Sequence, residues 1–586
     1  MITIDFETEA IVGNPYVHPP KPVGLALHSD AGTEYITNWD DMAHMVGHLN
    51  VDNEELLGHN IQYDLAVAEH WFGFEPPHWS KVHDTMFLTF LADPHAEDLG
   101  LKPSAVRYLG MPADEQDELK AWILAHVPGA KIKDWGGYIC KAPVELVAKY
   151  AIGDVVRTER LYHHLIGRCP QEAYDRERRL APILRESSRR GIRLDCARLQ
   201  ADINTYTLAL AAIDDRIRVL TGCPGLNPGS PPQLAAALKS SGLVTHFIQT
   251  PGGKDSTSKK NLLATCGDKE LLNLLSYRGT LDTCLGTFMI PWEEQSREDG
   301  RIHSQWNQVR GFESGRKRGT RTGRLSSNDP NLQNPPNDFS HIRPIQGLPD
   351  LPVLRSYLLP EIGHRWLKRD FSSQEIRILA HYEDGALLEA YKANPALDPH
   401  AYAKEMMQEA TGNDYPRKNV KITAFTVVYG GGGGKIAQTL GIPSAEGYAI
   451  KDAYLRAFPG IRELGRDTSY AGRSGAGITT WGGRHYLSEP SKMIDGQHRD
   501  FHYKLMNYLI QGSAADQTKE CLNDWYDVKD PDTVFLATVH DEINCSAPVE
   551  ITDREMAVLK AAMDQDLFDS PSQSEGFMGN NWSECK

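Results

Sequence analysis

Acidic residues stand at predicted strand ends in segments far apart along the chain, and this placement constrains the fold more than any other feature. Asp5 and Glu7 lie two residues apart in strand-like sequence, so a strand turns both side chains to one face. Asp370 ends the run HRWLKRD, and Asp541 stands at a tight turn between two apolar runs. Carboxylates that are brought together repel one another unless cations lie beside them. Asp5 and Glu7 are therefore expected to lie close enough to share a cation, whereas the turn at Asp541, taken alone, is more simply an ordinary turn.

Two further acids of the first unit follow helical spacing. Asp64 lies four residues after Asn60, and Asp154 lies four residues after Tyr150, so each pair shares a helix face. Oxygen ligands of this kind suit Mg²⁺ or Mn²⁺, and two such ions can clamp a phosphodiester for attack by water. Any one of these acids alone is more simply a solvated surface residue. The set, together with Asp5 and Glu7, favours a metal site.

A helix is predicted over residues 416–429, with two cations followed by two aromatic residues along one side. Arg417, Lys421, Phe425 and Tyr429 are each four residues apart, a spacing that drifts by about 40° per step around a helix. Such a stripe can hold a triphosphate at one end and a base at the other. For this helix alone, a solvated basic face beside core aromatic residues is the simpler interpretation.

Composition excludes several classes of protein. Among the 586 residues no run approaches about 18 apolar residues, so we expect no membrane span. The start MITIDFETEA lacks a basic segment followed by an apolar one, so it is not a signal peptide and a cytoplasmic location is expected, in the host if the source is viral. Nine cysteines without a CxxC pair argue against disulfides and structural zinc. The net charge of −16 does not exclude nucleic acid, because residues 301–325 are strongly basic.

The DxE, NxxxYD and YxxxD patterns of the first unit resemble the three motifs of DEDD-type 3′→5′ exonucleases, in the variant with tyrosine. The resemblance implies an RNase H-like domain in which Asp5, Glu7, Asp64 and Asp154 bind the metal ions. It also implies that Tyr150 orients the attacking water.

Three later segments, RDFSSQEIRILAH, RKNVKITAFTVVYG and TVHDEINC, together with TGRLSSNDPNLQNPP, resemble motifs of family A DNA polymerases in order and register. This resemblance implies an α/β and α+β multidomain chain, with the exonuclease domain followed by a right-hand polymerase. The boundaries expected from it are residues 1–168 for the exonuclease, 169–300 for connector and thumb, 301–386 for the first part of the palm, 387–500 for the fingers and 501–586 for the rest of the palm.

The same resemblance assigns roles at the polymerase site. Asp370 and Asp541 would bind two Mg²⁺ ions, for which Mn²⁺ can substitute, with the backbone carbonyl of Phe371 as a further ligand and Glu542 beside the primer end. Lys421 would also be the acid for the pyrophosphate leaving group. The remaining implied contacts are Arg417, Lys421 and His400 with the triphosphate, Tyr429 with the template base, Arg324, Asn507 and Gln511 with the minor groove, and His540 with the primer strand.

Two positions bear on nucleotide choice in the family. Glu375 occupies the place of the steric gate that excludes a 2′-hydroxyl, which favours deoxynucleotides. Phe425 stands where the family has Phe or Tyr, and Phe is associated there with poor use of dideoxynucleotides. After this helix, Gly430–Gly434 replaces a usually mixed segment, and both a hinge and a plain flexible loop are open interpretations.

The function expected from this resemblance is template-directed DNA synthesis from deoxynucleoside triphosphates with proofreading, in DNA replication. The partners are primer-template DNA and dNTPs, and the layout resembles a phage replicative polymerase. We expect a monomer without a thioredoxin-type processivity factor, since the thumb segment lacks the long insertion of some phage relatives, and without a 5′-nuclease domain. The alternatives are a single-subunit RNA polymerase, a DNA-binding scaffold with inactive domains, and an exonuclease whose second unit only binds DNA.

Overall fold

The computed structural model describes residues 1–51, 54–250, 252–313, 316–336, 338–494 and 496–586. Side chains are described for these residues except at positions 50, 51, 311–313, 316 and 317. In the described part of the chain, no helix combines the length and the apolar character that crossing a membrane requires.

The N-terminal unit is a mixed five-stranded sheet flanked by helices. The strand order is β3-β2-β1-β4-β5, with β1 antiparallel to β2 and parallel to β4. The apolar residues of β1 alternate with its acids, so one side of the strand packs on a core that includes Ile4, Phe6 and Leu65. The elements are β1 (Ile2–Thr8), β2 (Pro22–Ser29), β3 (Gly32–Ile36), α1 (Trp39–Val51), β4 (Leu56–Gly58), α2 (Gln62–Phe72), β5 (Val82–Asp84), α3 (Thr85–Ala92), α4 (Leu101–Leu109), α5 (Asp114–His126) and α6 (Val144–Leu165).

Asp84 fixes the start of two helices of this unit. Its carboxylate accepts hydrogen bonds from the backbone N–H of Met86, which caps α3, and from the N–H groups of Asn60 at 2.9 Å and Ile61 at 3.1 Å. Ile61 directly precedes α2, so the buried Asp84 side chain sets the position of the helix that carries Asp64.

The next segment of the chain is mostly helical and contains two short strands. A long helix, α7, leads into α8, which packs against α11 around an apolar core that contains Leu199, Ile213 and Leu271. A π-helical turn, Cys284–Met289, joins α11 to α12. The elements are α7 (Gln171–Arg190), β6 (Ile192–Leu194), α8 (Cys196–Thr221), α9 (Pro231–Ser240), α10 (Lys259–Thr265), α11 (Lys269–Thr283), α12 (Ile290–Gln295) and β7 (Arg301–Ile302).

The next segment contains short ribbons and then the strand that carries Asp370. The strand β8 pairs with β11, and β9 pairs with β10, in both cases antiparallel. The elements are β8 (Gln305–Asn307), β9 (Gly311–Glu313), β10 (Arg316–Arg318), β11 (Ser326–Asn328), β12 (Leu358–Leu359), β13 (His364–Phe371) and α13 (Gln374–Glu383).

A mostly helical insertion separates β13 from the strands that pair with it. Its helices share one core, which includes Leu387, Met407 and Tyr454. The elements are α14 (Ala386–Ala393), α15 (Pro399–Thr411), α16 (Arg417–Val428), α17 (Gly433–Leu440), α18 (Ser444–Ala457), α19 (Pro459–Ser474), β14 (Ile478–Thr479), β15 (His485–Tyr486), β16 (Lys492–Ile494) and β17 (Gln497–Arg499).

The C-terminal segment completes a four-stranded antiparallel sheet of order β18-β19-β13-β20. The strand β13 is thus paired on both sides by strands that follow it by more than a hundred residues. The elements are α20 (Leu505–Val528), β18 (Val534–Val539), β19 (Glu542–Pro548), α21 (Thr552–Met563) and β20 (Ser574–Gly579).

Candidate active sites

The four acids of the N-terminal unit meet beside β1. Asp5, Glu7 and Asp154 each contribute one carboxylate oxygen to a cluster in which these three oxygens lie within 4.8 Å of one another. Asp64 joins them from α2, because its Oδ1 accepts a hydrogen bond of 2.8 Å from the backbone N–H of Phe6, which lies between the two acids of β1. One strand and two helices thus bring together the residues that the sequence predicts for a metal site.

Burial raises the pKa of these carboxyl groups. The pKa of Asp5 is raised to about 7 by burial and by the charge of Asp154, and the pKa values of Glu7, Asp64 and Asp154 are raised by burial first and by neighbouring acids. One oxygen of Asp154, Oδ1, is buried and makes no hydrogen bond among the described residues, and Nη1 of Arg157 lies 3.7 Å from it. Buried, mutually repelling carboxylate oxygens fit a divalent cation such as Mg²⁺.

Tyr150 faces this cluster from α6, one helical turn before Asp154. Its hydroxyl accepts a hydrogen bond of 2.8 Å from Nζ of Lys102, and the same ammonium group contacts Asp154. The sequence analysis did not identify Lys102, because it lies in α4, outside the three acidic motifs. No spacing pattern links it to them.

The second group of acids lies at one end of the four-stranded sheet. Asp370 on β13 pairs in register with Glu542 on β19 and with Glu575 on β20. The backbone N–H of Phe371 donates a hydrogen bond of 3.2 Å to the carbonyl of Asp541, which stands in the turn between β18 and β19. That turn is tight because His540 adopts a positive φ of 58°. The segments that carry Asp370 and Asp541 thus meet at the backbone, and the charge of Asp541 acts on Asp370.

The electrostatics of this group resemble those of the first. Burial and the charges of Asp541 and Glu542 raise the pKa of Asp370 to about 7, and burial raises the pKa of Asp541 to about 6. Oδ1 of Asp370 is buried and makes no hydrogen bond within the described part of the chain. These residues therefore fit a divalent cation for the same physical reason.

Glu542 is held by residues that the sequence analysis missed. Its Oε1 accepts hydrogen bonds from the indole N–H of Trp582 at 2.9 Å and from Nδ2 of Asn544 at 2.7 Å, and Lys368 lies 3.7 Å from its Oε2. Lys368 and Asn544 stand two residues from Asp370 and Glu542, so strand periodicity would have identified both. Trp582 comes from the last turn of the chain, and no local pattern points to it.

The predicted stripe lies along α16, with Tyr429 at the end of the helix. The ring centroids of Phe425 and Tyr429 are 6.1 Å apart, and the ring of His400 is 5.8 Å from that of Phe425. Burial and the neighbouring charge of Lys421 lower the pKa of His400 to about 4. Arg417, at the other end of α16, is paired with Asp398 at 2.7 Å. Two cations, one imidazole and two aromatic rings therefore line one surface.

A network of side chains connects this stripe to β13. Glu375, on the helix that follows Asp370, accepts a hydrogen bond of 3.0 Å from the hydroxyl of Tyr429 and also contacts Arg324. Gln511 on α20 lies beside the hydroxyl of Tyr429. Asn507 stands one turn earlier on α20, and its Oδ1 is buried without a partner among the described residues. The structure thus joins Arg324, Glu375 and Tyr429 in one network, with Gln511 beside it.

The five-glycine run is a close-packed corner. A Cβ atom added to Gly430 would lie 2.7 Å from the ring and carbonyl of Tyr503, and one added to Gly433 would lie 2.5 Å from the Cα of Tyr448. Gly433 and Gly434 begin α17. The interpretation of the whole run as a plain loop is therefore wrong, since its end is helical and two of its positions exclude any side chain without rearrangement.

The basic segment 301–325 is largely paired with acids. Arg301 pairs with Glu361 at 2.7 Å, and Arg321 pairs with Glu489 at 3.0 Å. The side chains of residues 316 and 317 lie outside those that the structure describes. Because Glu361 and Glu489 neutralise these two arginines, the segment offers less unpaired positive charge for binding nucleic acid than its sequence predicts.

The chain is similar in sequence to known DNA polymerases. The sequence model of DNA polymerase family A matches residues 196–584. The chain is 26% identical to DNA polymerase I of Pseudomonas aeruginosa over 90% of this chain and 56% of that protein. It is 26% identical to DNA polymerase DpoZ of Salmonella phage PMBT28 over 100% of this chain and 97% of that protein. It spans about half the length of the bacterial relatives, 56% of the Pseudomonas protein and 50% of the DNA polymerase I of Thermus filiformis.

Among solved structures, the POL domain of Pol1 from M. smegmatis, in complex with DNA primer-template and dNTP, matches with a TM-score of 0.76 at 21% identity. The match covers 100% of this chain and 95% of that one, which establishes a shared fold. The prediction of a mixed α/β multidomain fold is confirmed. Since the family model matches about two thirds of its residues, the chain belongs to DNA polymerase family A.

Proposed function

We propose that the chain is a DNA-directed DNA polymerase that extends a primer from deoxynucleoside triphosphates during replication and removes mispaired ends with a 3′→5′ exonuclease. The observation that carries the polymerase proposal is the contact between two distant motifs, in which Phe371 N–H bonds the carbonyl of Asp541 beside Asp370. The close approach of the Asp5, Glu7 and Asp154 oxygens supports the exonuclease. Phage and bacterial relatives named as DNA polymerases support the polymerase assignment.

We assign the domains by the elements that carry each site. The proposed exonuclease domain contains the five-stranded sheet, and the proposed palm contains the four-stranded sheet interrupted by the helical insertion. The proposed boundaries are residues 1–168 for the exonuclease, 169–300 for connector and thumb, 301–386 and 501–586 for the palm, and 387–500 for the fingers.

At the proposed polymerase site, Asp370 and Asp541 would hold Mg²⁺, with the carbonyl of Phe371 nearby. When bound, such ions supply Lewis-acid activation of the primer 3′-hydroxyl and neutralise charge on the triphosphate. Arg417 and Lys421 add fixed positive charge along the helix α16. Lys421 is suited to give a proton to the departing pyrophosphate. The protein contributes mainly position and charge stabilisation.

Glu375 supports the choice of deoxynucleotides in this proposal. Its carboxylate is fixed from two sides, by Arg324 and by the Tyr429 hydroxyl, and the side chain is buried. A rigid group of this kind cannot move aside for an added 2′-hydroxyl, whereas a flexible exposed glutamate could. Tyr429 and Gln511 lie beside it and are suited to contact the new base pair.

A primer-template extension assay tests the proposed function. With four dNTPs and Mg²⁺, we expect full extension of a matched primer, and extension of a mismatched primer only after its end is removed. Replacing dNTPs by ribonucleotides tests the RNA polymerase alternative, and we expect little extension. Efficient ribonucleotide incorporation, or no extension with either set, would contradict the proposal.

The nucleotide-specificity prediction concerns Phe425, which lies between His400 and Tyr429. We expect the unaltered protein to discriminate strongly against dideoxynucleotides, and Phe425→Tyr to relax this discrimination because it adds a hydroxyl that can replace the missing 3′-hydroxyl as a polar partner. Competition between dNTP and ddNTP in primer extension measures the ratio. Equal incorporation of both by the unaltered protein would refute this prediction.

A second prediction concerns the pH dependence of metal binding. In the metal-free protein the pKa of Asp370 is about 7 and that of Asp541 about 6, both above the ordinary value of 3.8. Because the folded state holds these protons more tightly than the unfolded state, the two groups contribute most to the free energy of unfolding below about pH 4. That contribution is lost as the pH rises through 7. Mg²⁺ needs the ionised carboxylates, so protons compete with it below pH 7.

We therefore expect the increase in melting temperature caused by Mg²⁺ to be larger at pH 8 than at pH 6, with an apparent affinity about tenfold weaker at pH 6. Differential scanning fluorimetry with and without Mg²⁺ at both pH values measures this. A variant that lacks the acid with a pKa of about 7 at each site, Asp370→Ala with Asp5→Ala, should show a much smaller Mg²⁺-dependent increase at both pH values. Equal increases at both pH values in the unaltered protein would contradict the assignment.

A further inference from the structure

Lys102 places an ammonium group inside the acid cluster of the N-terminal unit. Its Nζ donates a hydrogen bond of 2.8 Å to the hydroxyl of Tyr150 and contacts the carboxylate of Asp154. The same nitrogen lies 4.1 Å from the centre of the Tyr150 ring, so the cation contacts both the hydroxyl and the π face. The side chain is 16% exposed. These contacts fix one lysine on two residues proposed for the exonuclease.

The location of Lys102 within its own helix is electrostatically unfavourable. It is the second residue of α4, and a cation in the first turn of a helix opposes the helix dipole. Holding the long lysine side chain in one conformation also costs rotamer entropy. Local helix stability therefore does not explain the residue. The acids compensate for these two costs, because the positive charge of Lys102 reduces the mutual repulsion of Asp5, Glu7 and Asp154.

The hydrogen-bond chemistry gives this contact a direction. An ammonium group only donates, so the oxygen of Tyr150 accepts the bond from Lys102. The hydroxyl proton of Tyr150 must then point away from Lys102, toward Asp154 or toward a water in the cluster. A tyrosine hydroxyl keeps its proton at neutral pH, because the ordinary pKa of a phenol is about 10. A neutral phenol with a directed proton can orient a water molecule without removing its proton.

We propose that Lys102 is a positioning residue of the exonuclease, which orients the hydroxyl of Tyr150 and holds the Asp154 carboxylate against its neighbours. This inference rests on the proposed exonuclease function. Lys102 does not touch the reacting atoms in this account and acts through Tyr150 and Asp154. It also balances part of the negative charge of the cluster, which a divalent cation would balance more completely.

The kinetic test compares Lys102→Met with Lys149→Met in degradation of single-stranded DNA. Lys149 lies in the same domain, and its pair with Glu118 is exposed, so its removal should change the rate less than twofold. We expect Lys102→Met to lower kcat by about 10- to 100-fold with little change in KM, as for other residues that orient a metal ligand. Lys102→Arg should recover part of the loss. Primer extension by each variant reports on folding.

A double-mutant cycle separates positioning from a general structural role. If Lys102 acts largely through the Tyr150 hydroxyl, Lys102→Met should lower kcat much less in a Tyr150→Phe background than in the unaltered protein. Full additivity of the two losses would overturn the inference. So would exonuclease activity of Lys102→Met within twofold of the unaltered protein.

Mn²⁺ binding supplies a readout that does not depend on activity. Titrations followed by electron paramagnetic resonance would use a background with Asp370→Ala and Asp541→Ala, so that the N-terminal site is observed. Because Lys102 repels a cation, we expect Lys102→Met to bind Mn²⁺ as tightly or several-fold more tightly while kcat falls. Loss of Mn²⁺ binding in parallel with activity would show a structural role and overturn the inference.

Absence of exonuclease activity in the unaltered protein would overturn both the proposed exonuclease and this inference. An active unaltered protein with an equally active Lys102→Met variant would overturn this inference alone.

Discussion

Asp370→Ala is expected to abolish primer extension, by more than about 1,000-fold, which corresponds to about 4 kcal/mol of transition-state stabilisation. Asp370 stands between Glu542 and Glu575 on adjacent strands and beside Asp541, and its buried Oδ1 has no other partner in the described part of the chain. Alanine removes an oxygen that a cation requires and leaves no substitute at that position. Extension of a radiolabelled primer under single-turnover conditions measures the loss.

The same variant should retain degradation of single-stranded DNA. The acids of the proposed exonuclease lie on β1, α2 and α6, which belong to a different sheet and core from β13. The reverse variant, Asp5→Ala with Glu7→Ala, should lose degradation and keep extension. Asp370→Asn serves as a matched control for volume and should also fail, because an amide lacks the charge. If either variant removes both activities in a folded protein, the assignment of two independent sites is wrong.

How far the sequence predicts these sites depends on whether a residue belongs to a periodic pattern. Asp5 with Glu7 and Tyr150 with Asp154 follow strand and helix periods, so their shared faces were predictable. The helix predicted over 416–429 is present as α16, Arg417–Val428. The pairing of β13 with both β19 and β20 depends on tertiary packing, and the sequence therefore pointed to Asp541 only through the resemblance.

Residues that support the sites were less predictable. Trp582 reaches Glu542 from the end of the chain, and Lys102 reaches Tyr150 from a helix without a motif. Contacts of this kind are set by the final approach of distant elements, which no local pattern encodes. The glycine run shows the opposite problem, since its composition predicts conformational freedom, whereas Tyr503 and Tyr448 pack closely against Gly430 and Gly433.

The second large effect is expected on stability, from a buried ion pair that joins three segments. Nζ of Lys519 on α20 donates to both carboxylate oxygens of Glu177 on α7, at 2.7 and 2.8 Å, and the two side chains are 1% and 2% exposed. Gln308 donates from Nε2 to the same carboxylate at 2.6 Å, and its carbonyl accepts from Lys519 at 3.2 Å. The pair thus fixes the helix that carries Asn507 and Gln511 against the connecting helix.

Lys519→Met should destabilise the protein by about 3–5 kcal/mol, because it leaves the Glu177 carboxylate buried without its counter-charge. Thermal unfolding monitored by circular dichroism should show a fall of roughly 5 °C for the transition that includes the polymerase segment. As a control, Lys392→Met removes an exposed lysine paired with Glu389 and should cost less than about 1 kcal/mol.

The double variant with Glu177→Met should recover much of the loss, because burying two apolar side chains of similar volume removes the unpaired charge. If Lys519→Met unfolds at the same temperature as the unaltered protein, water reaches Glu177 and the pair does not join these segments in solution. If the double variant is as unstable as the single one, the loss comes from packing and not from charge.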